Sequence, residues 1–110
     1  MNPKLIGQLG IARRTGHIAC GFDATAGLLK ARRAALVLLA ADLSEKTEKE
    51  LRFAARDQRT PLIRISMDMA SIGKALGYAK PVGVCATDDA GFAAAMNRCI
   101  SHDLEEDETI

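Results

Sequence analysis

Apolar positions along the chain switch repeatedly between two periods. Leu5, Leu9 and Ala12 recur at helical spacing behind Asn2-Pro3, a capping residue followed by a proline suited to the first helical position. Thr15-Gly16 closes that helix, because glycine suits the left-handed residue that follows a helix. His17 to Cys20 reads as a short strand, and Gly21 starts a second helix that runs to about Arg33. Ala35 to Ala41 is an unbroken apolar run, as a strand buried on both faces requires. Asp42-Leu43-Ser44 forms a turn, and Ser44 caps a third helix from Glu45 to Gln58. Pro61 ends that segment. Leu62 to Ile65 is a third strand, Met69 to Leu76 a short helix closed by Gly77, and Val82 to Thr87 a fourth strand. Asp88-Asp89 starts the last helix, with Phe92, Met96 and Ile100 on one face.

Strands that alternate with helices predict a sheet covered on both faces. The fold class is therefore α/β, a three-layer α/β/α sandwich on a central four-stranded mixed sheet; periodicity alone does not order the strands. Residues 1–100 form the predicted domain, and residues 101–110 an acidic, disordered tail. A chain of 110 residues that is 48% hydrophobic fits one domain with a continuous core, and it needs no disulfide or structural metal to fold. No apolar run approaches the roughly 18 residues of a membrane span. Met1-Asn2-Pro3-Lys4 lacks the pattern of a secretory signal, so a cytoplasmic protein is expected.

Charge sharpens the picture. The formal net charge is only +1, but Asp103, Glu105, Glu106, Asp107 and Glu108 all fall in the last ten positions. Residues 1–100 hold fifteen basic and nine acidic side chains, a net +6. A basic body with an acidic tail suits a polyanionic partner, nucleic acid being the commonest. The three cysteines, Cys20, Cys85 and Cys99, show no Cys-x-x-Cys spacing, so buried thiols in a reducing compartment are expected. Aromatic residues are scarce, which argues against a broad stacking platform for single strands.

Individual candidates have plain structural explanations beside functional ones. Gly21 lets phosphate or RNA approach exposed backbone N–H groups, or simply permits a turn. Asp42, Asp88 and Asp89 follow buried strands, where open α/β sheets place ligands, but aspartate also serves turns and helix caps. Arg13 and Arg14, and Lys30, Arg32 and Arg33, end helices whose C-terminal dipoles attract cations. Lys49, Arg52, Arg56 and Arg59 line one helix face, with Glu45, Glu48, Glu50 and Asp57 interleaved as on an ordinary solvated surface. His17 stands alone in a strand. No dinucleotide fingerprint, P-loop or nucleophile elbow is present. An enzyme would have to use Asp42 and Asp88 with a metal or phosphate; no assembled site supports this, so no catalytic residue, metal or cofactor is expected.

Several segments, read in order, carry a more specific signal. They are Leu9-Gly10-Ile11-Ala12-Arg13-Arg14-Thr15-Gly16, Leu36-Val37-Leu38-Leu39-Ala40-Ala41-Asp42-Leu43-Ser44-Glu45-Lys46-Thr47, Ile72-Gly73-Lys74-Ala75-Leu76-Gly77 and Thr87-Asp88-Asp89-Ala90-Gly91-Phe92-Ala93. This ordered set resembles the kink-turn-binding ribosomal-protein superfamily that contains the archaeal L-seven-Ae protein, in particular its small bacterial members of the YlxQ and YbxF type.

The resemblance implies the α/β/α sandwich already reached from patterning. It also implies non-enzymatic binding of structured RNA, kink-turn-like or ribosomal, with possible contacts to ribosomal proteins and a role in translation. The family's motif at the start of the second helix is Gly-x-Asn-Glu-x-x-Lys. Glycine lets the backbone approach, the polar pair reads base edges and lysine meets phosphate. Here the stretch is Gly21-Phe22-Asp23-Ala24-Thr25-Ala26-Gly27. Gly21 is kept, Asp23 replaces the amide donor with a charge, and Ala24 and Gly27 stand in place of Glu and Lys. Lys30, one turn later, is left to reach the backbone. The implied RNA-facing set is Gly21, Phe22, Asp23, Thr25 and Lys30, with Arg32 and Arg33 attracting phosphate and Asp42 in the next turn. Tyr78 and Lys80, in the loop from Gly77 to Val82, form a second edge. The alternative is a protein-interaction module that keeps the fold without kink-turn recognition.

Overall fold

A computed structural model describes the backbone of residues 3–108 and the side chains of residues 3–101. The helices are α1 (Pro3–Arg14), α2 (Phe22–Lys30), α3 (Glu45–Ala54), α4 (Met69–Ala75) and α5 (Ala90–Glu108). The strands are β1 (Ile18–Cys20), β2 (Leu36–Leu39), β3 (Leu62–Arg64) and β4 (Val84–Thr87). They form one four-stranded sheet in the order β1-β4-β2-β3. β4 is antiparallel to both β1 and β2, while β2 and β3 are parallel. The expected mixed sheet is thus present, and its central strands are the two that are buried along their whole length.

The apolar run of β2 is divided between two cores by its pleat. Leu36, Leu38 and Ala40 point to one side, where Leu5, Leu9, Ile72, Leu76, Cys85 and Met96 gather under α1, α4 and α5. Val37 and Leu39 point to the other, where Leu29, Leu51, Val84 and Ala86 pack under α2 and α3. This is why both residues of each adjacent pair must be apolar, and it makes the sandwich three-layered.

Local chemistry trims the predicted elements. α2 ends at Lys30 because Arg32 turns left-handed, at φ +58°. The N–H of Arg33 returns to the Leu28 carbonyl and that of Arg32 to Leu29, which is a Schellman closure with arginine where glycine is usual. α3 ends at Ala54 and not at Gln58; the Gln58 amide instead donates to the Leu29 carbonyl at 2.7 Å, and Thr60 Oγ1 donates to Ala34. Helix starts follow expectation more closely. Ser44 accepts from the Thr47 N–H, Asp68 from Ser71, and Asp89 from Phe92. The last helix continues through Glu108, so the backbone of residues 101–108 is helical where the sequence suggests disorder. The side chains of the predicted acidic tail, apart from Ser101, lie outside the described residues.

Candidate nucleic-acid interface

At the C-terminal end of β1 the chain turns sharply into α2. Gly21 makes that turn at φ +92°, a backbone region that disfavours any side chain. Its N–H bonds to the Val84 carbonyl at 2.8 Å, which fastens the turn to the first residue of β4. No side chain caps α2, and a Cβ built on Gly21 would meet nothing within 4 Å. The first turn of α2 therefore offers backbone donors at the positive end of a helix dipole, beside exposed Phe22 and Asp23. Asp23 places a negative charge at the same spot.

The parallel strands β2 and β3 also end on this side, so their loops join Gly21 there. Arg64 secures the β2–α3 loop by donating from Nη1 to the carbonyls of Ala40, Ala41 and Leu43, at 2.9, 3.0 and 3.0 Å. Its other guanidinium nitrogens bond to Glu48. The Arg52 and Arg64 guanidinium groups hold the Glu48 carboxyl below its ordinary pKa. Asp42, in this loop, accepts the Met69 N–H at 2.9 Å and so caps the start of α4. It thereby ties the β2–α3 loop to the start of α4, and the residue stays exposed at the surface.

The loop before β4 doubles back along α4. The Tyr78 N–H bonds to the Gly73 carbonyl and the Val82 N–H to that of Met69. Gly73 is the close-approach position: a Cβ there would collide with the Lys80 carbonyl. Lys80 is exposed and has no ion-pair or hydrogen-bond partner for its side chain among the described residues. Tyr78 is only 40% exposed. The Arg13 guanidinium lies 4.4 Å from its ring centroid, and Arg13 Nε donates to its hydroxyl at 3.2 Å. Tyr78 raises the Arg13 pKa further, with a smaller contribution from Cys20, the residue before Gly21. Arg13 thus fastens the second loop to the C-terminal end of α1. Sequence reading missed this role because helix-end arginines have an ordinary dipole explanation.

Four expected members of the interface lie elsewhere. Thr25 faces the sheet and is completely buried, since positions 25 and 29 share the inner side of α2. Its Oγ1 has no hydrogen-bond partner among the described residues. Lys30, Arg32 and Arg33 stand at the opposite end of α2, about 13 Å of helix away from the glycine turn at 1.5 Å per residue. Nine helical residues cannot bring both ends to one small site. Arg33 also pairs with Asp88 at 3.7 Å, and Asp88 Oδ1 lies 3.1 Å from His17 Nδ1. Among the described residues no three His, Cys, Asp or Glu side chains gather to hold a metal ion. No described helix is long and apolar enough to cross a membrane.

The chain belongs to the ribosomal protein L7Ae/L30e/S12e/Gadd45 family, whose model matches residues 4–97. Among solved structures it is similar to a protein of unknown function from Bacillus halodurans, at 23% identity and a TM-score of 0.81, with 89% of this chain and 97% of the other covered. It is also similar to a 15.5 kD RNA-binding protein of Giardia lamblia, at 19% identity and a TM-score of 0.71, with 90% and 83% covered. A comparison with curated protein sequences gives no match.

Proposed function

We propose that this protein binds structured RNA without catalysis, through the glycine turn at the start of α2 and the loop before β4. The carrying observation is the open, uncapped first turn of α2 behind a left-handed Gly21, at the position where the resemblance places the family's RNA motif. Family membership and the likeness to an RNA-binding protein of Giardia lamblia support the choice of RNA. Phosphate or base-edge acceptors meet the backbone N–H groups, Lys80 and Arg13 supply positive charge, and the exposed edge of Tyr78 contacts a base. Asp23 lacks the motif's amide, Ala24 its carboxylate and Gly27 its ammonium group, so recognition here rests on backbone shape and on the second loop. The RNA we favour is a sharply bent, kink-turn-like element of ribosomal RNA, which makes the protein a cytoplasmic, ribosome-associated factor of bacterial type.

Gel-shift titrations with kink-turn and plain duplex RNAs at several salt concentrations test this. Preference for the bent RNA at low salt is the expected result; equal, weak binding to both overturns it. The missing motif groups favour a second reading, in which the fold serves as a protein-interaction module. A stoichiometric protein partner after native purification, with no nuclease-sensitive absorbance at 260 nm, would select that reading.

A further inference from the structure

The basic residues that the fold separates from the glycine turn form a surface of their own. α2 and α3 pack side by side, and their C-terminal ends meet through the Gln58 bond to Leu29 and the Thr60 bond to Ala34. Between them lies an open groove of about 390 Å³, with Arg32 and Arg59 among the residues that line it. Both arginines are exposed, and neither has an ion-pair partner among the described residues. One acid, Asp57, also lines the groove; it lies 4.0 Å from Arg56, while Asp88 sits between His17 and Arg33. Arg32 holds its left-handed backbone at the rim without glycine's freedom.

One turn before Asp57, Phe53 is 66% exposed, the most exposed large apolar side chain described. The Arg56 guanidinium covers its ring at 4.0 Å and donates to the Phe53 carbonyl at 2.9 Å, which holds the pair in place. An exposed aromatic backed by a cation, four residues along the chain from the groove-lining Asp57 and outside the groove itself, adds to the unpaired arginines the chemistry an unpaired nucleotide needs: the base stacks and the phosphates meet charge. A protein partner would find little apolar area here apart from that one ring.

We infer that the groove between the ends of α2 and α3 binds a single-stranded RNA segment, with Phe53–Arg56 stacking a base and Arg32 and Arg59 contacting phosphates. This surface lies at the other end of α2 from the glycine turn, and it rests on the reading above only for the choice of RNA. It would hold the strand that leaves a structured element gripped at the first site.

The test uses fluorescence anisotropy with a labelled kink-turn RNA, either blunt or carrying a single-stranded uridine extension, and the extension alone. The extension is expected to tighten wild-type binding roughly tenfold, in the range of one stacked base with its phosphates. Phe53→Ala should remove most of that gain without changing the salt slope. Arg32→Gly with Arg59→Ala should reduce the gain and make the slope shallower by about 0.7 per lost phosphate contact. Neither change should alter binding of the blunt RNA, whereas Lys80→Ala should weaken it. An extension that brings no gain to a protein that binds the blunt RNA overturns the inference, as does a gain that survives both sets of substitutions. Failure to bind the blunt RNA, together with Phe53-dependent binding of the extension alone, overturns only the first site. Equal displacement of the extension by poly-glutamate from wild type and Phe53→Ala would show a general anion surface and overturn the inference.

Discussion

Cys20 lies directly opposite Cys85 across the β1–β4 ladder, and the Gly21 bond to Val84 next to it makes the cysteines a non-hydrogen-bonded pair. Their side chains share the face that carries α1, α4 and α5, but their surroundings differ. Cys20 is partly exposed beside Arg13, whereas Cys85 is fully buried. Burial, with a smaller effect of Cys20, pushes the Cys85 thiol up to about 12.

Alkaline stability should reflect that thiol. In the unfolded chain Cys85 loses its proton near its ordinary value of 9.0, while the folded protein keeps it to about 12. Between those values the folded state binds more protons, so stability falls as pH rises. Denaturant unfolding across this window should show a steeper loss for wild type than for Cys85→Ala. A parallel decline in the two proteins would contradict the assignment. In native protein, a maleimide should label Cys20 well before Cys85.

Thr25→Val should stabilise the fold. It keeps the shape of the side chain and removes a buried hydroxyl that has no partner among the described residues. The gain is about 1–2 kcal/mol, the order of the desolvation cost of such a group. Urea unfolding reads this through a higher midpoint at an unchanged m-value. A lower midpoint would mean that the hydroxyl bonds to a buried water.

Gly73→Ala should loosen the second loop. The new methyl group meets the Lys80 carbonyl, a backbone atom that cannot move without displacing the loop. Overpacking of this kind costs about 1–3 kcal/mol. Faster amide exchange in residues 78–82 would accompany the loss. Unchanged stability and exchange would show that the contact relaxes freely.

Arg32→Gly should raise stability modestly, by about 0.5–1 kcal/mol, because glycine adopts the left-handed residue of a Schellman closure without strain. Thermal unfolding measures it. A destabilised variant would show that the Arg32 side chain contributes more to the folded state than its backbone costs.

Lys80 and Lys30 should behave differently toward a bent RNA, because Lys80 lies in the loop before β4, on the side of the sheet where the glycine turn lies, and Lys30 at the far end of α2. Lys80→Ala should weaken binding and make its salt slope shallower by roughly 0.7–0.9. Lys30→Ala should leave both nearly unchanged. The reverse result would move the RNA site to the other end of the helix.

Patterning by itself determined most of the architecture. Alternating periods located all the described helices and strands, and the unbroken run from Ala35 to Ala41 marked a central strand, because hydrophobic burial acts on each segment locally. Capping by Ser44 and Asp89 was legible for the same reason: the groups that bond lie within three residues of each other. Gly21 was equally visible, since glycine is the residue that tolerates its backbone angle. Tertiary structure decided what stands beside what. The strand order, the Arg13–Tyr78 stack and the Asp42 bond to Met69 join residues far apart in sequence, and no local pattern encodes such contacts. Helical phase, set by the sheet, buried Thr25, and helix length carried Lys30, Arg32 and Arg33 away from Gly21. A linear motif lists residues by separation along the chain, but a binding surface is defined by their separation in space.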